Sequence, residues 1–410
     1  LHNDASGKKK EMNMQIAERI RNLGTETAFA VSGEARAFAE AGNAVYPFHL
    51  GDIDMRTPDN IIHAAHQAML AGKTGYAPNA GIPELREALA ADVNRARGSS
   101  YTAANVAVQP GGKPVIGKFI QALMNPGDEA LFPNPGYPIY ESQIEYFGGK
   151  AVPYAYIPGE NNFRLDFDAL ERAVSPKTRL LIFNDLQNPT GAESSREELE
   201  AVARFAVKHD LKVLCDEAYF DIRYGGDSVS LSSFPGMEES CVILYTFSKK
   251  FAMTGWRLGA AIGPVDVIDV IARINLNDES CSNHFIQIAA VEALKGDQSG
   301  PRKILEVLRE RRDLGVDILN SIPGVSCYRP NATFYLYPDV TELMKAKGLE
   351  DYEAFRKDVL YKTGVSFCTR LHFGRALPGE DRNYIRLAYS GIDADLIRKG
   401  LGLLKEYAQA

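Results

Sequence analysis

The sequence predicts an α/β protein: a large unit whose mostly parallel sheet is flanked by helices, with a smaller α+β unit beside it. Three observations carry this. From about residue 105 to 262, apolar runs of strand length alternate with runs of helix length. The KGDQSGP stretch at 295–301 then breaks the pattern. Beyond it, a long helical run leads into shorter strand-like runs and a closing helix.

Taken in order, 106–108 reads as a strand and 113–124 as a helix, 129–132 as a strand and 140–147 as a helix. Residues 178–183 read as a strand, the amphipathic 196–209 as a helix, and 211–214 as a strand. Such apolar strands belong to a sheet buried on both faces. The runs 241–247 and 256–262 add two strands, after which the pattern turns helical, with a long helix at 303–319. The tail holds strands at 333–337, 365–368 and 384–389 and a helix at 394–407. The expected organisation is a large domain over 61–297 and a small domain over 298–410, to which 1–60 contributes.

The 410 residues, 45% of them hydrophobic, suffice for two domains with a sizeable core. A net charge of -7 and a pI near 5.7 argue against nucleic acid or an anionic membrane as partner. No apolar run approaches the ~20 residues of a membrane span. The lysines at 8–10 are followed by no apolar stretch of the secretory kind. Cys215, Cys241, Cys281, Cys327 and Cys368 are scattered, with no C-x-x-C pair; they suggest a reducing cytoplasm and neither a zinc site nor a disulfide framework. The histidines form no H-E-x-x-H, which removes the common zinc hydrolase reading.

The most informative run is YTFSKKFAMTGWRLG at 245–259. It sets Lys249 after an apolar strand, with Thr246 and Ser248 beside it and Arg257 eight positions on. A lysine so placed can form a Schiff base with an aldehyde such as pyridoxal phosphate. The planar fork of Arg257 can clamp the phosphate. The plain alternative is two surface lysines on a turn and a structural arginine.

Other runs supply matching chemistry. VQPGGK at 108–113 puts two glycines between a strand and a helix, where backbone N–H groups can face a phosphate or simply make a tight turn. LKVLCDEAY at 211–219 carries an apolar strand into two acids. A carboxylate ending a buried strand needs a cation, so Asp216 suits the protonated ring nitrogen of such a cofactor, and Tyr219 its ring oxygen; a helix cap and a core aromatic are the alternatives. In NPTG at 188–191, Asn188 can donate to the same ring oxygen, or the motif is an ordinary turn. Arg386 sits in the apolar run NYIRLA at 383–388, where its guanidinium must be paired, an internal salt bridge being the simplest way.

The 245–259 run is similar at nearly every fixed position to the S-K-x-x-x-M-T-G-W-R-x-G signature of the class I and II aminotransferases, pyridoxal-phosphate enzymes of fold type I. The remaining runs recur in that family's order from Gly51 to Arg386. The resemblance implies that Lys249 holds the cofactor and serves as base and acid, and that Asp216 and Tyr219 tune its ring. It places Gly111, Gly112 and Lys113 at the phosphate, chiefly through main-chain donors, with Thr246, Ser248 and Arg257. Tyr137, in NPGYP at 134–138, would stack on the ring. Tyr76, in GKTGYAPNAG at 72–81, would reach the phosphate of the neighbouring subunit, which implies a homodimer. Arg386, with Gly51 and Asn188, would receive the substrate α-carboxylate.

The activity so implied is transfer of an amino group between an L-amino acid and a 2-oxo acid. A lyase or γ-eliminating synthase shares the cofactor residues and stays an alternative. A cofactor-sensing regulator is disfavoured, since no DNA-binding unit precedes residue 105. The chain departs from the family at Leu186, where a proline is frequent, so the path of that loop is left open. It departs again at Arg370, where a glycine is usual. Arg370 turns the expectation toward aspartate or glutamate; the acids Asp278 and Glu279 would instead suit a basic substrate.

Overall fold

The computed structural model describes residues 16–24 and 27–410; the lysine run at 8–10 lies outside them. At its centre is a seven-stranded sheet. In chain order the strands are β1 (Val106–Gln109), β2 (Glu129–Pro133), β3 (Lys150–Tyr154), β4 (Thr178–Phe183), β5 (Lys212–Asp216), β6 (Cys241–Thr246) and β7 (Gly259–Ile262). Across the sheet they lie β3-β2-β4-β5-β6-β7-β1. Strands β2 to β6 pair in parallel, and β7 alone is reversed, antiparallel to both β6 and β1. β1 therefore points the same way as the parallel five, and six segments leave the sheet at one edge. Ligand sites of open α/β sheets form at that edge.

The strands are buried almost throughout, which is why they read as unbroken apolar runs. One face, with Ala107, Ala130, Leu180, Leu214 and Leu244, packs under helices Lys113–Leu123, Ile139–Tyr146 and Val265–Asn277. The other, with Val108, Leu131, Leu181, Val213 and Ile243, packs on Pro83–Arg97, Arg196–Lys208 and His284–Lys295. Local signals set several of these helices. Ser195 and Glu198 form a capping box at the start of Arg196–Lys208, and Gly98 closes Pro83–Arg97 in the left-handed conformation.

Three differences from the expected elements have physical causes. β3 is not legible in KAVPY because Pro153 argues against a strand; its place at the sheet edge tolerates a residue with no N–H. The run 256–262 becomes strand only at Gly259, since Thr254–Trp256 is a 3-10 turn and Arg257 takes φ 55°. The long helix begins at Ser299, with Gly300 and Pro301 inside its first turn, where a proline forfeits no helical hydrogen bond.

A further core joins Tyr46 and Phe48 to residues between 304 and 407, with Leu186, Tyr219 and Ile222 at its border with the large sheet. The run expected as one strand at 365–368 is divided: Val365–Ser366 pairs in parallel with Tyr46–Pro47, and Cys368–Thr369 pairs with Ile385–Ala388. The latter strand also pairs with Tyr335–Leu336. The closing helix, Ala394–Gln409, presses Gly400 against Tyr46, where an added Cβ would lie 2.8 Å from the tyrosine Cβ. Both atoms stand on main chain, so neither can swing aside. Gly400→Val is expected to destabilise the chain by about 1–3 kcal/mol through overpacking, measured as a lower urea midpoint, whereas Gly402→Ala, which meets nothing within 4 Å, should not lower it.

Candidate active site

Where the parallel strands end, a cavity of about 650 Å³ opens. Lys249 lines it, three residues beyond β6. Its Nζ donates to the carbonyl of Gly51 at 2.9 Å and lies 5.4 Å from the centre of the Phe334 ring. Lys250 points elsewhere and pairs with Asp221 at 2.9 Å, so the two adjacent lysines have separate environments. Gly51 has no room for a side chain, since a Cβ would sit 2.4 Å from the Tyr335 hydroxyl.

Asp216, the last residue of β5, is buried at the same edge. One carboxylate oxygen accepts from the Tyr140 hydroxyl at 2.5 Å, the other from the Ala218 N–H at 3.1 Å. Burial raises its pKa above the ordinary carboxylate value; the Tyr140 and Ala218 donors work the other way. Tyr219 shares a 2.6 Å hydrogen bond with Tyr335, and burial pushes its phenol pKa well up.

The glycine turn after β1 meets Arg257. Gly111 has φ 106°, and a Cβ there would fall 2.1 Å from Arg257 Nη2, so only glycine lets the guanidinium lie against the main chain. Gly112 is the N-cap of the helix Lys113–Leu123, packed against Leu244 and Thr246. Gly259, opposite both Gln109 and Thr246, is equally constrained, since a Cβ would be 2.8 Å from the carbonyl carbon of Gly111. Thr246 Oγ1 donates to Ser248 Oγ at 2.9 Å and accepts from its N–H at 3.2 Å. A helix N-terminus, a guanidinium and two hydroxyls thus surround one end of the cavity, the donor set of an anion site.

Arg386 is buried, yet no carboxylate pairs with it among the described residues. Nη1 donates to Asn188 Oδ1 at 3.0 Å and Nη2 to the His49 carbonyl at 2.8 Å, while Nε has no partner. The internal salt bridge weighed as the plain alternative is therefore not formed. The ring of Tyr335 lies 4.5 Å below the guanidinium and that of Phe373 at 4.4 Å. Side-chain hydrogen bonds hold the loop at 184–191, whose path the sequence left open. Asn184 accepts from the Asn188 N–H at 3.0 Å and donates to the Asp216 carbonyl at 2.9 Å, and Gln187 accepts from Thr190 and donates to the Pro135 carbonyl.

Gly51, Gly112, Lys113, Tyr137, Asn188, Asp216, Tyr219, Thr246, Ser248, Lys249, Arg257 and Arg386 all line this one cavity, with Gly111 directly behind Arg257. Tyr76 does not; its side chain is 90% exposed. Arg370 is a correction. It is buried outside the cavity, bound to Glu380, to Asn134 Oδ1 at 2.8 Å and to the Gly374 carbonyl at 3.1 Å, so it offers no fork to a substrate. Glu279 is likewise occupied by Lys118 of the same chain, and neither it nor Asp278 lines the cavity. Reading the sequence missed Tyr140, Asn184 and Tyr335. Tyr140 carries a faint signal, three residues after Tyr137 on the helix that follows NPGYP; the other two have none.

These features fit pyridoxal phosphate: an amine, a buried carboxylate with no cation beside it among the described residues, and an anion cradle, in one cavity. His49, whose carbonyl holds Arg386, adds a measurable consequence. Burial first, then the Arg386 charge, lower its pKa from 6.5 to about 4. The unfolded chain takes up this proton near pH 6.5 and the folded chain only near pH 4, so stability is complete above 6.5 and declines as the pH falls toward 4. Between pH 7.5 and pH 5, urea unfolding should show wild type losing about 2 kcal/mol more than His49→Gln; equal losses would place the shift elsewhere.

Comparison with known proteins agrees with the geometry. The family described as aminotransferase class I and II matches residues 45–403. An aspartate aminotransferase of Musicola paradisiaca is 33% identical over 381 residues, covering 92% of each chain. An aspartate/prephenate aminotransferase of Cereibacter sphaeroides is 34% identical, covering 96% of this chain and 98% of its own. The solved structure of the Thermus thermophilus aspartate aminotransferase with maleate superposes with a TM-score of 0.88 at 32% identity, over 96% of this chain and 99% of that one. With its lysine, its buried carboxylate and its anion cradle gathered at one sheet edge, the chain belongs to the class I and II aminotransferases, which work with pyridoxal phosphate.

Proposed function

We propose that this aminotransferase acts on a dicarboxylic pair, aspartate or glutamate with a 2-oxo acid. One observation carries the assignment of roles: Asp216 and Arg386, a buried carboxylate and a buried guanidinium, line one cavity with Lys249, and neither has an oppositely charged partner among the described residues. Buried charges left so are costly unless a ligand completes them.

When bound, pyridoxal phosphate supplies an aldehyde for amines and a ring that accepts the electrons of a broken Cα–H bond. Arg257, the main chain at 111–113 and the hydroxyls of Thr246 and Ser248 would hold its phosphate, and Tyr137 would stack on its ring. Asp216 would hold a proton at the ring nitrogen, and the positive charge beside it would offset the burial that raises the Asp216 pKa. Tyr140 fixes that carboxylate, and Asn188 and Tyr219 would donate to the ring oxygen. Arg386 receives the substrate α-carboxylate, the orientation that lets Lys249 Nζ take the proton from Cα.

A second carboxylate needs a further cation. Besides Lys249, Arg257 and Arg386 the cavity is lined by Lys113, to which we give that role in place of Arg370. The names of the relatives support the dicarboxylic substrate, and the Thermus structure was solved with a dicarboxylate. The pairing of Glu279 with Lys118 of the same chain weighs against a basic substrate.

Exposure of Tyr76, with Leu70 and Leu276 also exposed, favours a homodimer in which Tyr76 serves the neighbouring site. The separate core built from residues 46–48 and 304–407 favours a large domain over 61–297 and a small one from 1–60 and 298–410. Five free cysteines favour the cytoplasm.

Borohydride treatment followed by peptide mass analysis should find the cofactor fixed to Lys249. Lys249→Ala should abolish both that label and turnover, and Lys250→Ala neither; a label on Lys250 would refute the assignment. Across a panel of L-amino acids with 2-oxoglutarate, Lys113→Ala should lower kcat/KM for aspartate and glutamate about 10- to 100-fold more than for alanine. Should the panel show wild type preferring arginine or lysine, the dicarboxylic reading fails.

A further inference from the structure

Lys118 is a buried cation that none of the steps above uses. It lies on the helix Lys113–Leu123 and is 4% exposed. Its ammonium meets three acceptors: Gln109 Oε1 at 3.0 Å, Asn275 Oδ1 at 2.9 Å and the Glu279 carboxylate. An ammonium has three hydrogens to give, so its capacity is filled. Asn275, also buried, donates to the Asn79 carbonyl at 2.9 Å and the Val108 carbonyl at 3.1 Å, and accepts from Gln109 Nε2 at 2.9 Å. Every side-chain polar atom of Gln109, Lys118 and Asn275 is thus engaged in a closed network. Satisfied buried networks of this kind fix positions more than they add stability.

What the network fixes is the glycine turn. Gln109 ends β1 immediately before the turn, and Lys118 lies in the helix immediately after it. Between these two anchors run only residues 110 to 117, which include Gly111, the glycine against Arg257. Helix Val265–Asn277 supplies Asn275, and Glu279 follows that helix from a segment where Ser280 has φ 67° and donates its N–H to the Asn275 carbonyl at 2.8 Å. Glu279, with a side chain 21% exposed, balances an ammonium that would be costly to bury alone.

We propose that Lys118 and Glu279 are positioning residues for the cofactor phosphate, holding the glycine turn in its binding shape before the cofactor arrives. Binding then need not order the turn, which is where preorganisation raises affinity. The inference rests on the assignment of the phosphate to that turn and Arg257.

Cofactor-stripped wild type, Glu279→Gln, Lys118→Met and Arg257→Ala are to be titrated with pyridoxal phosphate, and again with inorganic phosphate and with pyridoxal lacking the phosphate. Glu279→Gln keeps size and an acceptor while removing the charge, and carries the test alone should Lys118→Met fail to fold. Both network variants should raise the dissociation constants of pyridoxal phosphate and inorganic phosphate about tenfold and leave that of pyridoxal within twofold. Variants that melt earlier yet bind the two phosphates as wild type does would overturn the inference, as would equal weakening toward pyridoxal. Normal phosphate binding by Arg257→Ala would overturn the phosphate assignment and the inference with it.

Discussion

A guanidinium buried without a carboxylate is costly, and much of this molecule is arranged to tolerate one at Arg386. The neutral acceptors that hold it come from residue 49 near one end of the chain and from Asn188 in the middle, while Arg386 itself lies near the other end. Aromatic faces of Tyr335 and Phe373 lie against it. These contacts leave the charge unneutralised, and a carboxylate ligand completes the arrangement. Asp216 is the same problem with the opposite sign, held by Tyr140 and a backbone N–H. The scaffold carries both because the sheet beneath them is buried on either face and contributes its stability elsewhere.

Polar side chains take over where backbone pattern stops. Around Leu186, where the sequence left the path of the loop open, Asn184 and Gln187 tie it to Asp216 and to residue 135 with their amides. The glycine turn shows the same division of labour: Gly111 makes room for Arg257, and the Gln109, Lys118 and Asn275 side chains hold the flanks. In both places a buried amide bridges segments far apart in the chain, a device with no local periodicity.

Arg370 shows how spacing misleads about charge. Its place where a glycine was expected suggested a cation offered to substrate, but Glu380, ten residues on, folds back and claims it. Glu279 likewise meets a cation from far off, Lys118, 161 residues before it in the chain. A charge on a sequence has no partner until the fold supplies one, and the pocket's electrostatics depend on which charges are left over.

The sequence by itself determined the sheet strands except the proline-bearing edge strand, because each lies in a local pattern whose period is set by backbone geometry, and the resemblance its motifs carry pointed to the lysine and its neighbours, Asp216, the glycine turn and Arg257. It also placed Asn188 and Arg386. Tertiary structure alone decided that Tyr140 holds Asp216, that Tyr335 holds Tyr219, that Asn184 bridges two loops, that the run at 365–368 is shared between two sheets, and that Arg370 and Glu279 are occupied. Those facts depend on contacts between residues far apart in the chain, where burial turns a weak pairing preference into a requirement, and no local pattern of residues records them.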